Sequence, residues 1–151
     1  CRLIVYDRDP SKIVTNGEMV DLQTLYKEAD IVSLHIPLDE DNEYLVCHNF
    51  LSSFHKPIVL INLARGKVLN LEDLIVGLDT GRISHAALDV LENEKPQTYS
   101  KTEQDIMDNL YARQNVIFSP HVGGWTIESY RKISEYLGLK IAMWVKEQKG
   151  E

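Results

Sequence analysis

Short apolar runs alternate with segments of helical period along most of this chain, and that alternation restricts the fold more than any other feature. RLIVYD, DIVSLHIP, PIVLIN, SHAALDV and NVIFSP are aliphatic or β-branched and bounded by Asp, Pro, Gly or Asn, as strands buried on both faces should be. Between them, DLQTLYKEA repeats apolar residues at Leu22, Leu25 and Tyr26 behind a candidate N-cap, Asp21, and the stretch from Tyr44 to Phe54 can form a short helix. LEDLIVGLDTG reads more sharply. Asn70 can cap it, Glu72 and Asp73 complement the helix dipole in its first turn, and Gly81 stands where a left-handed residue ends a helix. Strands that alternate with helices pair in parallel through right-handed crossovers, so the expected fold is a doubly wound, Rossmann-like α/β sheet.

Two regions break the alternation. Residues 95–114 are polar and long for a connection, which predicts an excursion over one edge with a short helix near Glu103 to Tyr111. The last segment carries apolar residues at 127, 130, 133, 137, 141 and 144, a helical stripe of more than five turns. It reads first as a core helix, while Met143 and Trp144 near its end point to packing against something beyond the sheet.

Composition narrows the function classes. At 151 residues, 44% hydrophobic and 26% charged, the chain can build one globular core. A net charge of -7 leaves no broad cationic surface for nucleic acid or an anionic membrane. Cys1 and Cys47 are too few for a disulfide scaffold, and no long apolar run suggests a signal peptide or span, so the cytoplasm is the expected location. Cys rather than Met stands first, which is expected of part of a longer chain.

In an open parallel sheet, ligands bind beyond the carboxyl ends of the strands. The residues at or just after those ends are Asp7, then Ile36 and Pro37, then Ala64 and Arg65, then Asp89 and Glu94, then His121. Each alone has a plain structural explanation: a turn-forming Asp, a surface Arg in an ion pair, a structural His. Together on one rim they support specific chemistry. A carboxylate at Asp7 can accept hydrogen bonds from the ribose hydroxyls of an adenosine and would repel a 2′-phosphate. The fork of Arg65 matches a substrate carboxylate, His121 can move a proton, and Glu94 can hold the imidazole in one tautomer. That set suits hydride transfer between a 2-hydroxy acid and a nicotinamide.

At these residues the sequence resembles the D-isomer-specific 2-hydroxyacid dehydrogenases. The motifs are VYD ending at Asp7, ADIVSLHIPL at 29–38, INLARG at 61–66, GRISHAALDVLENE at 81–94 and SPHVGG at 119–124, in the family's order. The resemblance implies that Arg65 binds the substrate carboxylate, that His121 is the general acid–base and that Glu94 pairs with it. It implies NAD as cofactor, with Asp7 on the ribose, Ile36 and Pro37 beside the adenine, Leu63, Ala64 and Asp89 lining the nicotinamide half, and Arg65, His121 and Gly123 also among the cofactor-binding residues. A homodimer acting on a small 2-hydroxy or 2-keto acid is implied too, and GWTIES after His121 is most similar to bacterial members acting on 3-phosphoglycerate.

The family's G-x-G-x-x-G turn, with its flanking strand and helix, and its substrate-capping domain are not among these residues. The expected organisation is therefore 1–124 as most of an NAD-binding domain and 125–151 as a long helix directed toward the substrate domain. Two further readings share the fold: a corepressor-like relative in which NAD binding regulates assembly, and formate oxidation, against which the carboxylate of Glu94 argues because the family's formate enzymes carry glutamine there.

Overall fold

The computed structural model describes residues 1–12 and 14–149. The chain forms two compact units, Cys1–Ser119 and Pro120–Glu151. In the first, β1 (Ile4–Val5) pairs in parallel with β2 (Glu18–Met19), and a second sheet holds β3 (Ile31–Leu34), β4 (Ile58–Asn62), β5 (Ile83–Leu88) and β6 (Val116–Phe118), all parallel and in chain order. Helix α1 (Leu22–Glu28) leads into β3, and α2 (His48–Ser52), α3 (Leu71–Asp79) and α4 (Lys101–Tyr111) connect the strands that follow. When neighbouring parallel strands succeed one another in a single direction, right-handed crossovers put every connecting helix on one face. The sheet is arranged that way. Val32, Leu34, Leu60, Ala86, Leu88 and Val116 point into one buried cluster with Leu51, Leu74 and Leu110 from the helices. Burying each Leu in such a cluster contributes about 1.5–3 kcal/mol.

The α/β parallel architecture agrees with the sequence pattern, with corrections. Burial on both faces fails in β3 and β6, where Ile31 is 62% and Ile117 68% exposed on the side opposite the cluster. RLIVYD contributes only two strand residues, and β2, in a polar stretch with no alternation, has no apolar signal that reveals it. Instead of one sheet there are two, because β1 and β3 share no neighbouring strand among the described residues.

The helix ends match their local signals more closely. Asp21 accepts from the Thr24 N–H, and Asn70 from the Asp73 N–H, as capping requires. Gly81 follows α3 with a φ of 70°, the left-handed turn expected of it. The helix expected over 44–54 is confined to α2, since residues 44–46 instead run alongside 67–70. In the excursion over 95–114, Ser100 and Glu103 form a reciprocal capping box that starts α4.

The second unit holds α5 (Ile127–Lys149). Its apolar stripe does not behave as a core face: Ile127 is 85% exposed, Ile133 61% and Trp144 60%. The core-helix reading of this segment is therefore corrected.

Candidate active site

Register builds the site. Leu34, Asn62, Leu88 and Phe118 stand side by side in one row across the sheet, so the residues after them emerge on a common rim. Along it lie Ile36 and Pro37 after β3, Leu63, Ala64 and Arg65 after β4, and Asp89 to Glu94 after β5. Asp7 follows β1 at the end of the smaller sheet. The first unit holds all of these residues, Asp7 on the smaller sheet and the others on the larger, while His121 and Gly123 belong to the second. His121 has a φ of 55°, in the left-handed region that few non-glycine residues enter and that His enters more readily than most.

Asn62 shapes the turn that presents Arg65. It is fully buried at the last position of an apolar strand, where an unpaired amide would be costly. Its Oδ1 accepts from the Ala64 N–H at 3.0 Å, and its Nδ2 donates to the Arg65 carbonyl at 3.1 Å. Both ends of the amide therefore fold the backbone tightly on itself. Ala64 is buried as a result, and Arg65 stands exposed beside it rather than enclosed at a strand end. Its Nη1 donates to the Ala64 carbonyl at 2.7 Å, and it makes no ion pair among the described residues.

The β4 and β5 loops are fastened to each other. The Asp89 N–H donates to the Asn62 carbonyl at 3.1 Å, and the Ser119 hydroxyl donates to the buried carboxylate of Asp89. A Cβ on Gly66 would lie 2.0 Å from the carbonyl carbon of Leu91, so only glycine permits this approach of two backbones. Tyr44 Oη donates to Glu92 at 2.7 Å, and that carboxylate pushes the phenol's pKa up to about 12. Farther along, Asn93 donates to Thr98 and Glu103 and accepts from the Lys95 N–H. A cavity of about 200 Å³ lies behind this loop, lined in part by Tyr44, Leu71, Leu91, Glu92, Tyr99 and Met107.

The β1 end is more open. The Asp9 N–H and then Lys12 hold the Asp7 carboxyl below the usual carboxylate range. Arg8 is turned aside to Asp39 and Asp41, at 3.1 and 3.2 Å. Asn42, buried, donates to the Pro37 carbonyl at 3.0 Å and fixes the loop after β3.

The family model for the D-isomer specific 2-hydroxyacid dehydrogenase NAD binding domain matches residues 1–123. The chain belongs to this family. It is 34% identical over 142 residues to the hydroxypyruvate reductase of Thermotoga maritima, covering 93% of this chain and 44% of that protein. The NAD-complexed D-isomer specific 2-hydroxyacid dehydrogenase of Lactobacillus delbrueckii ssp. bulgaricus is similar at a TM-score of 0.75 and 29% identity, over 99% of this chain and 46% of that one. D-lactate dehydrogenase from Aquifex aeolicus, complexed with NAD and lactic acid, has a TM-score of 0.74 and 26% identity, over 97% and 46%. The chain spans less than half the length of these relatives.

For a family NAD-binding domain, the residues present fit the cofactor at its adenosine end. Asp7 is held ionised at a strand end, with carboxylate oxygens suited to accept from ribose hydroxyls, and the partly buried Ile36 offers an apolar wall. The 151 residues carry no G-x-G-x-x-G to receive a pyrophosphate. Asn42, Tyr44, Asn62 and Gly66 escape a reading by strand ends because they arrange site residues without standing among them. The signal for Asn62 and Gly66 is an amide closing an apolar run, followed four residues later by glycine.

Proposed function

We propose that the intact protein carrying this chain is an NAD-dependent D-2-hydroxyacid dehydrogenase, interconverting a small D-2-hydroxy acid and its 2-keto acid. The substrate class is that of 3-phosphoglycerate, lactate or glycerate. Family membership supports the reaction type, and one observation carries the assignment of the anchor: Arg65 is held outward by a turn built on the buried Asn62 and has no carboxylate partner among the described residues. A fixed cation maintained without a counter-charge suits an anionic substrate.

The bound nicotinamide supplies the hydride in reduction and accepts it in oxidation. Arg65 grips the substrate carboxylate with two parallel hydrogen bonds and polarises the adjacent carbonyl. His121 gives a proton to the carbonyl oxygen in reduction and takes it from the hydroxyl in the reverse direction. Glu94 orients the imidazole. Asp7 accepts from the ribose hydroxyls, Ile36 and Pro37 flank the adenine, Leu63, Ala64 and Asp89 line the nicotinamide half, and Gly123 also contacts the cofactor. Residues 1–124 supply most of the NAD-binding domain, the remaining strand and glycine-rich turn lying elsewhere in the protein. The exposed stripe of α5 packs toward the substrate domain, and the protein works as a cytoplasmic homodimer.

The test is NADH oxidation by the intact protein with pyruvate, hydroxypyruvate and 3-phosphohydroxypyruvate. Arg65→Lys should raise KM for the preferred keto acid roughly tenfold or more and also lower kcat, since an ammonium cannot reproduce the bidentate contact. Unchanged kinetics in that variant removes Arg65 from the substrate site.

A further inference from the structure

The loop that carries Glu94 is exposed, carries no buried side chain from Leu91 to Lys95, and backs onto the cavity lined by Tyr44, Leu91 and Glu92. Its one apolar anchor is Leu91, half-buried against the core. Asn93 ties its far side to Thr98 and Glu103, and on the side of the Arg65 loop it meets two contacts: the Gly66 backbone pressed against Leu91 and Glu92, and the Tyr44 hydroxyl on Glu92.

Tyr44 is itself anchored to the Arg65 loop. Its N–H donates to the Lys67 carbonyl at 2.7 Å, the Val46 N–H donates to the Val68 carbonyl at 2.9 Å, and the Asn70 N–H donates back to the Val46 carbonyl at 3.1 Å. Beside it, Glu43 pairs with Lys67 at 2.9 Å. A short ladder therefore joins residues 43–46 to the segment that begins at Arg65. Tyr44 also adopts a φ of 52°, a left-handed conformation that a bulky side chain keeps only where its surroundings hold it. Its backbone is seated on one loop and its hydroxyl on the other. The aromatic ring bridges them as a rigid strut with few rotatable bonds.

We infer that Tyr44, acting through Glu92, is a positioning residue that holds the Glu94 loop in register with Arg65 for the reaction proposed above, on which this inference rests. Tyr44 touches neither substrate nor cofactor in this role. Its effect is on the mutual placement of the carboxylate anchor and the group that orients the acid–base histidine. Misplacement of that kind lowers the rate of the bound complex more than it weakens binding.

The experiment is a double-mutant cycle on the intact protein, with steady-state kinetics on its preferred 2-keto acid and calorimetric titration of NADH. Tyr44→Phe removes the hydroxyl and keeps the ring, and should lower kcat about tenfold while KM changes less than about threefold and NADH affinity is unaltered. Glu92→Ala should do the same, and the double variant should be no worse than either single one. Glu92→Gln keeps a carbonyl acceptor for the hydroxyl and should retain most of the activity. A parental kcat in Tyr44→Phe overturns the inference, as do losses that multiply in the double variant, a Glu92→Gln as impaired as Glu92→Ala, or a fall in kcat matched by the loss of folded protein. An inactive parent overturns the proposed function itself, whereas an active parent with an unaffected Tyr44→Phe overturns this inference alone.

Discussion

The β1 end of the rim and the β4–β5 end are made of different materials. Around Asp7 and Arg8 the side chains that bear the chemistry are held by exposed ion pairs and local backbone hydrogen bonds, with the Arg8 and Asp41 side chains 59% and 83% exposed and the buried Asn42 amide fixing only the loop after β3. Around Arg65 and Glu94 the contacts are a fully buried amide, a backbone-to-backbone approach that excludes a Cβ, and a buried carboxylate. Exposed ion pairs contribute about 0–1 kcal/mol each, whereas an orphaned buried polar group costs about 1–3 kcal/mol. The end suited to hold a cofactor's ribose can therefore be altered one charge at a time, and the end suited to chemistry cannot.

The sharpest way to break this contrast is Gly66→Ala. The added methyl would meet the Leu91 carbonyl carbon at 2.0 Å and its oxygen at 2.1 Å, and neither atom belongs to a flexible side chain. One of the two loops must shift. The expected cost is about 2–4 kcal/mol in denaturant unfolding, with activity lost in whatever fraction remains folded. A variant as stable and active as its parent would mean that the two loops are no more rigidly joined than the β1 end.

Asn62→Ala follows in size. The Ala64 N–H loses its acceptor inside the core and the Arg65 carbonyl loses a donor, for about 1–3 kcal/mol in thermal or urea unfolding. Because the same amide folds the turn before Arg65, KM for the keto acid should rise alongside the loss of stability. A destabilised variant with parental KM would separate the turn from the anchor.

The same contrast explains what was legible in the sequence. The strands β3, β4 and β5 and the caps Asp21 and Asn70 follow from local pattern, because apolar period and capping chemistry act within a few residues. Residues at strand ends also follow, since a parallel sheet with a known chain order leaves only one rim for them. β2 escapes because a two-residue strand of Glu18 and Met19 has no period to detect. The joining of the Arg65 and Glu94 loops escapes because Tyr44 and Glu92 lie 48 residues apart in sequence, and neither belongs to an apolar pattern. Long-range polar contacts carry no periodic trace. The exposure of α5 escapes for the opposite reason: its stripe has the right period, and periodicity reports an apolar face without naming what covers it.

The smallest expected effect belongs to the β1 end and concerns the choice between NAD and NADP in the intact protein. If Asp7 receives the ribose, its carboxylate disfavours a 2′-phosphate; Lys12 is paired with that carboxylate at 3.2 Å, and the adjacent Arg8 is a second nearby cation able to offset the repulsion. Arg8 is instead held by Asp39 and Asp41 on the loop after β3, both contacts exposed. Asp39→Asn combined with Asp41→Asn removes both counter-charges, leaves the backbone of the loop in place and should change stability by no more than about 0.5 kcal/mol. With Arg8 released, kcat/KM for NADPH should rise about three- to tenfold while that for NADH changes less than about twofold. Asp7→Ala in the same background should raise NADPH use again, because repulsion and attraction at a phosphate act separately. An NADPH efficiency that stays at the parental level in the Asp39 and Asp41 variant would show that Arg8 does not reach a 2′-phosphate even when free, and that cofactor choice at this end rests on the Asp7 carboxylate and its Lys12 partner.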